Sequence, residues 1–221
     1  MTWTIPNILT VIRLLAAPGV ALMFLYFSRP YADWFALMLF VGAAITDWFD
    51  GYLARQWSQE TKLGAMLDPI ADKAMVVIAL MVLVGYSSMA PGLVLPAALI
   101  LFREVFVSGL REFLGDTAGT LKVTKLAKWK TTFQMVAIAV LFLQGVFEHY
   151  FGMSSYGMDA ALVDDILAGR EEDLQGLEWK LNGMIFSSYA GLILLWVAAV
   201  LTVITGWDYF RKAQPHLKDD R

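Results

Sequence analysis

The chain has 221 residues, 58% of them hydrophobic and only 17% charged, with a net charge of −3 and no cysteine. A soluble domain carries nearer a quarter charged residues, and the apolar residues here come in long runs. Composition therefore excludes an ordinary water-soluble globule, disulfide frameworks and thiol chemistry, and it points to an integral membrane protein.

The expected fold is all-α: six transmembrane helices in a single domain covering 1–221. Each segment is near the roughly 20 residues that a helix needs to cross the hydrocarbon core. The first, 8–28, has Arg13 in its early turns. The start of the chain, MTWTIPNILTVIRLLAAP, lacks the basic opening and small-residue cleavage site of a signal peptide, so this segment is expected to stay as a span. The second, 32–56, ends in a run of aspartates, and the third, 62–86, begins in it. The fourth is 91–114 and contains Arg103, Glu104 and Arg111. The fifth is 126–147 and the sixth 184–206. Tryptophans and tyrosines near the segment ends match interfacial belts. Gly42, Ala43 and Ala44 suit close helix packing.

Loop charges set the orientation. Arg55 and Lys62 stand at the junction of the second and third segments. Arg111, Lys122, Lys125, Lys128 and Lys130 stand around the junction of the fourth and fifth, and Arg211, Lys212, Lys218 and Arg221 are in the tail. The positive-inside rule then puts both termini and the aspartates on the cytoplasmic side. Residues 148–183 form an acidic external insertion, with Glu171, Glu172 and Asp173 in a row. Its apolar residues recur at helical spacing, which predicts one or two short helices on the outer surface. A solvated cap and an interaction surface both fit that pattern.

The chemistry is concentrated in TDWFDGYLARQWSQETKLGAMLDPIADK, residues 46–73. Each carboxylate in a membrane helix costs roughly 2.5–3.5 kcal/mol on insertion scales. Asp47 and Asp50 are three apart and share a helix face, as do Asp68 and Asp72, four apart. A helical hairpin brings the two faces together. Four carboxylates at one place need countercharge, and an all-oxygen set suits a hard divalent cation, Mg²⁺ or Mn²⁺. His149 and His216 lie outside the stretch, so a histidine-built site is not expected. Gly51 lets a ligand approach the backbone, and Arg55 can clamp phosphate. Three readings stay open on spacing alone: a metal-dependent phosphoryl-transfer site, an ion or proton relay of a transporter, and structural pairing with a lysine such as Lys73.

The stretch also resembles the signature of the CDP-alcohol phosphotransferase family, D-x2-D-G-x2-A-R-x8-G-x3-D-x3-D. Asp47, Asp50, Gly51, Ala54, Arg55, Gly64, Asp68 and Asp72 fill all eight fixed positions over 26 residues. A transporter gives no reason for Gly51, Arg55 and Gly64 at these spacings. The resemblance implies a six-span homodimer that holds two divalent cations, Mg²⁺ or Mn²⁺. It implies transfer of a substituted phosphate from a CDP-linked donor to an alcohol, with release of CMP. In this family pattern Asp47, Asp50, Asp68 and Asp72 ligate metal, and Asp72 is also the general base. Gly51, Ala54, Arg55, Thr61 and Gly64 belong to the donor site. The segment IPNILTVIR resembles the family's first helix, in which Asn7, Thr10 and Arg13 reach the nucleotide.

Three further stretches, PNILTVIRLLAAP, REVFVSGLREF and KWKTTFQM, are most similar to the bacterial branch that uses CDP-diacylglycerol as donor and glycerol 3-phosphate as acceptor. Ala127 stands where that branch is expected to have glycine, and the insertion at 148–183 is longer than expected. The implied location is the bacterial inner membrane, with no nucleic-acid partner. A phosphorylated acceptor needs cations, and Arg103, Arg111 and Lys130 are the candidates. Positive-inside charge for Lys130, and pairing of Arg103 with Glu104 or Glu112, are the plainer explanations. Inositol phosphate or serine are the alternative acceptors.

Overall fold

The computed structural model describes residues 4–56, 61–120 and 125–217, with side chains described for all of these except 48–56, Asp116, Ala118, Thr120, Lys125, Ala127 and Lys128. Among the described residues the chain is helical and contains no strand. The helices are α1 (Ile5–Tyr26), α2 (Tyr31–Gln56), α3 (Lys62–Tyr86), α4 (Pro91–Leu114), α5 (Lys125–Ser155), α6 (Ala160–Leu167) and α7 (Leu177–Ala213). Short 3-10 turns follow α4 and α7.

Among the described residues four helices are long and apolar enough to cross a membrane: Ile5–Tyr26, Pro91–Leu114, Trp129–Ser155 and Leu177–Leu217. Their large apolar side chains face outward, with Leu25, Phe102, Val105 and Phe186 between 69% and 74% exposed. So much exposed apolar surface is stable only in lipid. The chain is a membrane protein. The second and third expected segments form as helices α2 and α3, the two that carry the aspartates.

Two helices run past their expected ends. α5 continues to Ser155, and α7 starts at Leu177. A helix satisfies its own backbone and needs no change of structure where it leaves the apolar layer. The two extensions are tied together where Lys180 Nζ donates to Ser154 Oγ at 2.6 Å. Only 156–176 of the acidic segment lies outside the long helices, and α6 is the single short helix in it. Asp173 accepts from the backbone N–H of Leu177 (2.8 Å) and Glu178 (2.9 Å), satisfying donors that a helix start leaves open. Those two bonds, Glu178 first, hold its carboxyl below the ordinary aspartate value.

The chain divides into two units, Met1–Leu83 with Ile138–Gly191, and Val84–Ala137 with Leu192–Arg221. In the first, α1 packs along α2. Fully buried Ala17, Val20, Ala32 and Ala36 belong to these two helices. Phe142 meets Phe24 and Phe40, each with ring centroids 6.0 Å apart. α5 and α7 approach closely at Gly191, where a Cβ would lie 2.7 Å from the Leu141 side chain. Buried Asp33, at the start of α2, takes both Nε and Nη2 of Arg29, at 2.8 and 2.7 Å. A buried carboxylate needs that pairing.

In the second unit α4 and α7 run parallel. The Trp196 indole donates to Gly92 O at 2.9 Å near the start of α4. Phe106 meets Phe210 in the middle, with centroids 5.8 Å apart. Val107, Leu114, Tyr209 and Ala213 form a buried cluster toward the end.

Candidate active site

The first unit builds its polar site from three helices. Asn7, Thr10 and Arg13 recur every three residues along α1, which places them on roughly one face, and all three are 2% exposed. Thr4 caps the helix by accepting from Asn7 N at 3.5 Å, and Pro6 stands in the first turn, where its missing N–H costs nothing. The polar stripe on an otherwise apolar helix faces α2 and α3.

Each stripe residue meets one level of the α3 start. Thr61 Oγ1 accepts from Gly64 N at 3.0 Å, capping α3, and donates to Asn7 Oδ1 at 2.8 Å. A Cβ at Gly64 would stand 2.9 Å from Asn7 Oδ1, so a larger residue would push Asn7 aside. Two turns down, Thr10 Oγ1 donates to Asp68 Oδ1 at 2.7 Å.

Arg13 closes the site. Its Nη1 pairs with Asp47 of α2 and lies 3.0 Å from Asp72 Oδ1, and its Nη2 lies 3.3 Å from Asp68 Oδ1. The arginine side chain is 2% exposed, while the three carboxylates are about half exposed. The spacing of the aspartates predicts that carboxylates of α2 and α3 meet, and in the structure Asp47, Asp68 and Asp72 do so around Arg13. Asp50, Gly51, Ala54 and Arg55 lie outside the described side chains. The countercharge comes from α1, which the spacing of the aspartates alone did not reveal. Its signal was an arginine three residues beyond a threonine in an apolar segment.

The donor set is all hard oxygen, half exposed and drawn from two helices, which fits a divalent cation such as Mg²⁺ or Mn²⁺. Among the described residues no three acidic side chains are close enough to form a ready-made cation cage. The Arg13 guanidinium lies between them instead, at the point where positive charge is needed.

The second unit holds a separate polar cluster. Glu104 of α4 accepts from Arg103 Nη1 at 3.1 Å and from Lys130 of α5. Arg103 lies flat on α7 at Gly206, where a Cβ would be 2.9 Å from its Cγ. Arg111 sits two turns on, with its guanidinium 5.4 Å from the centroid of Tyr209. Among the described residues of these helices, Arg103 Nε, Gln134 Oε1, Thr202 Oγ1 and Tyr209 OH are buried with no hydrogen-bond partner. Native interiors rarely leave such atoms unmatched without a ligand or water to meet them. Gln134, Thr202 and Tyr209 were not singled out from the sequence. Gln134 is one turn beyond Lys130, and Thr202, Gly206 and Tyr209 form a stripe on an apolar helix, so the signal was periodicity within a membrane segment.

The model of the CDP-alcohol phosphatidyltransferase family matches residues 3–206. The chain belongs to this family. It is 65% identical, over the full length of both chains, to the CDP-diacylglycerol–glycerol-3-phosphate 3-phosphatidyltransferase of Cereibacter sphaeroides. It is 37% identical to the protein of that name from Rickettsia bellii, over 96% of each chain. It is 36% identical to the one from Escherichia coli K12, over 99% of this chain and 100% of that one.

Proposed function

We propose that this chain transfers the phosphatidyl group of CDP-diacylglycerol to glycerol 3-phosphate, giving phosphatidylglycerophosphate and CMP. The observation that carries the reaction class is the meeting of Asp47, Asp68 and Asp72 from two helices at the family signature. Relatives that cover the whole chain and are named for this transfer support the choice of acceptor.

Asp47, Asp50, Asp68 and Asp72 would hold two divalent cations, Mg²⁺ or Mn²⁺. Bound there, they supply Lewis-acid charge to the donor's diphosphate. The acceptor hydroxyl attacks the phosphorus that bears diacylglycerol. A new P–O bond forms, the bond to CMP breaks, and the electron pair leaves with CMP. Asp72 takes the hydroxyl proton as general base. Gly51, Ala54, Arg55, Thr61 and Gly64, with Asn7, Thr10 and Arg13, hold the nucleotide end of the donor. The diacylglycerol tails stay in the bilayer, in which the chain is a multi-pass protein of the inner membrane. Six spans, cytoplasmic termini, a cytoplasmic site and a homodimer complete the reading.

Arg103, Arg111 and Lys130 bind the acceptor's phosphate. Glu104 holds two of these cations in register, and the unmatched atoms of Gln134, Thr202 and Tyr209 offer partners to a polyhydroxylated acceptor.

The deciding experiment supplies purified protein with CDP-diacylglycerol, Mg²⁺ and, in parallel, glycerol 3-phosphate, inositol phosphate and serine. Phosphatidylglycerophosphate and CMP are expected from glycerol 3-phosphate alone, and neither from Asp72→Asn. Product with another acceptor instead would overturn the acceptor. Absence of CMP with every acceptor, in a folded preparation, would overturn the reaction.

A further inference from the structure

Arg13 is a permanent cation, since a guanidinium does not lose its proton in a protein. It is buried at the centre of the carboxylates proposed to hold metal, within 3.0 Å of Asp72 and 3.3 Å of Asp68, and paired with Asp47. A divalent cation drawn to the same oxygens meets that charge at a few ångströms, where like charges repel. A diphosphate arriving with the metal adds negative charge and offsets the excess. A bidentate guanidinium also suits phosphate oxygens as well as carboxylates.

We propose that Arg13 is a positioning residue that couples divalent-cation binding to nucleotide binding. Without nucleotide its guanidinium offsets one of the three negative charges of Asp47, Asp68 and Asp72 and lowers their metal affinity. With the CDP diphosphate in place the two positive charges are accommodated together, and metal binds tightly. Linkage makes the effect reciprocal, so metal raises nucleotide affinity by the same factor. The enzyme would thus avoid holding cations when no donor is present. The proposal rests on the reading of this site as a CDP-alcohol transferase site.

The test measures Mn²⁺ binding to the full chain in detergent by electron paramagnetic resonance, with and without saturating CDP, and needs no turnover. For the native chain, CDP is expected to tighten Mn²⁺ binding by about tenfold or more. Arg13→Gln removes the charge, so Mn²⁺ alone should bind about tenfold more tightly than to the native chain, and the CDP effect should shrink to about threefold or less. Arg13→Lys keeps the charge and should keep the CDP effect. Mn²⁺ binding to Arg13→Gln that is unchanged or weaker, or an undiminished CDP effect in it, would overturn the coupling. If Arg13→Gln does not fold, the native chain and Arg13→Lys still decide: Mn²⁺ and CDP that each bind without affecting one another overturn the coupling alone. Failure of the native chain to bind either one would instead overturn the reading of the site as well.

Discussion

Thr10 and Asp68, 58 residues apart, are joined by a 2.7 Å hydrogen bond from the threonine hydroxyl to the carboxylate. The bond fixes the turn of α3 that carries Asp68 against a buried face of α1. Thr10→Val keeps the shape and removes the donor. Transmembrane hydrogen bonds of this kind contribute modestly, so the loss of stability should be about 1 kcal/mol. Activity should fall more than stability, by about tenfold, because Asp68 loses one of the two groups that aim it. Thermal unfolding and CMP release measured side by side check this. Equal activity in the two proteins would mean that Asp68 does not need Thr10.

Asp72→Asn preserves the volume of the side chain and removes its ability to take a proton. Loss of a general base costs typically about 10²–10⁴-fold. On the proposed reading Asp72→Asn should lose at least that much, since it would also weaken the site for metal. Asp33→Asn is the useful contrast. It breaks a buried ion pair with Arg29 in the same unit, so it should lower the melting temperature while kcat of the protein that remains folded is retained. CMP release per folded molecule separates the two effects.

The cluster at Glu104 predicts a split between the two substrates. Arg103→Ala should raise the KM for glycerol 3-phosphate by about tenfold or more, the cost of one charge-assisted contact, with the KM for CDP-diacylglycerol unchanged. Gln134→Leu removes a buried carbonyl that has no partner and should not lower thermal stability. If that oxygen meets the acceptor, the KM for glycerol 3-phosphate rises all the same. Unchanged kinetics in both variants would leave the cluster a purely structural one.

Asp173 gives a pH dependence with a definite sign. Its carboxyl is held below its ordinary value by the N–H groups of Glu178 and Leu177. A group with a depressed folded value contributes its stabilisation in full above the unfolded value of about 3.9. The contribution disappears as the pH falls through the lower, folded value. Amide exchange at Leu177 and Glu178, corrected for intrinsic rate, should therefore lose protection below about pH 4, while residues deep in α7 keep theirs. Asp173→Ala should show the low-pH pattern at neutral pH.

Gly191 sets the distance between α5 and α7 in the first unit. A Cβ there would stand 2.7 Å from the Leu141 side chain. Gly191→Val should cost about 1–3 kcal/mol, the usual range for overpacking. Restored stability in the double variant Gly191→Val with Leu141→Ala would confirm the contact as the cause.

The helices were legible in the sequence because membrane spans are written in hydrophobicity and length. The α3 and α4 bounds follow directly from turn residues and apolar runs. The expected fifth segment stopped too early and the sixth began too late, because hydropathy marks where a chain leaves lipid and not where its helix ends. α5 and α7 continue because their polar extensions hold each other, Lys180 to Ser154.

What the sequence by itself determined is the inventory and its register. Eight signature positions fall on two helices at spacings that put carboxylates on shared faces, which marks the stretch as a candidate site. Which charge neutralises those carboxylates was decided by tertiary structure. Arg13, 34 residues before Asp47, is a cation that the packing of α1 on α2 brings among them. The same holds for Glu104, which joins Lys130 across 26 residues, and for the stripe of α7 that lies under Arg103. Local spacing fixes the face on which a side chain sits. Its partner is set by which helices pack together, and in lipid that depends on close fit and on the need of each buried charge for an opposite one.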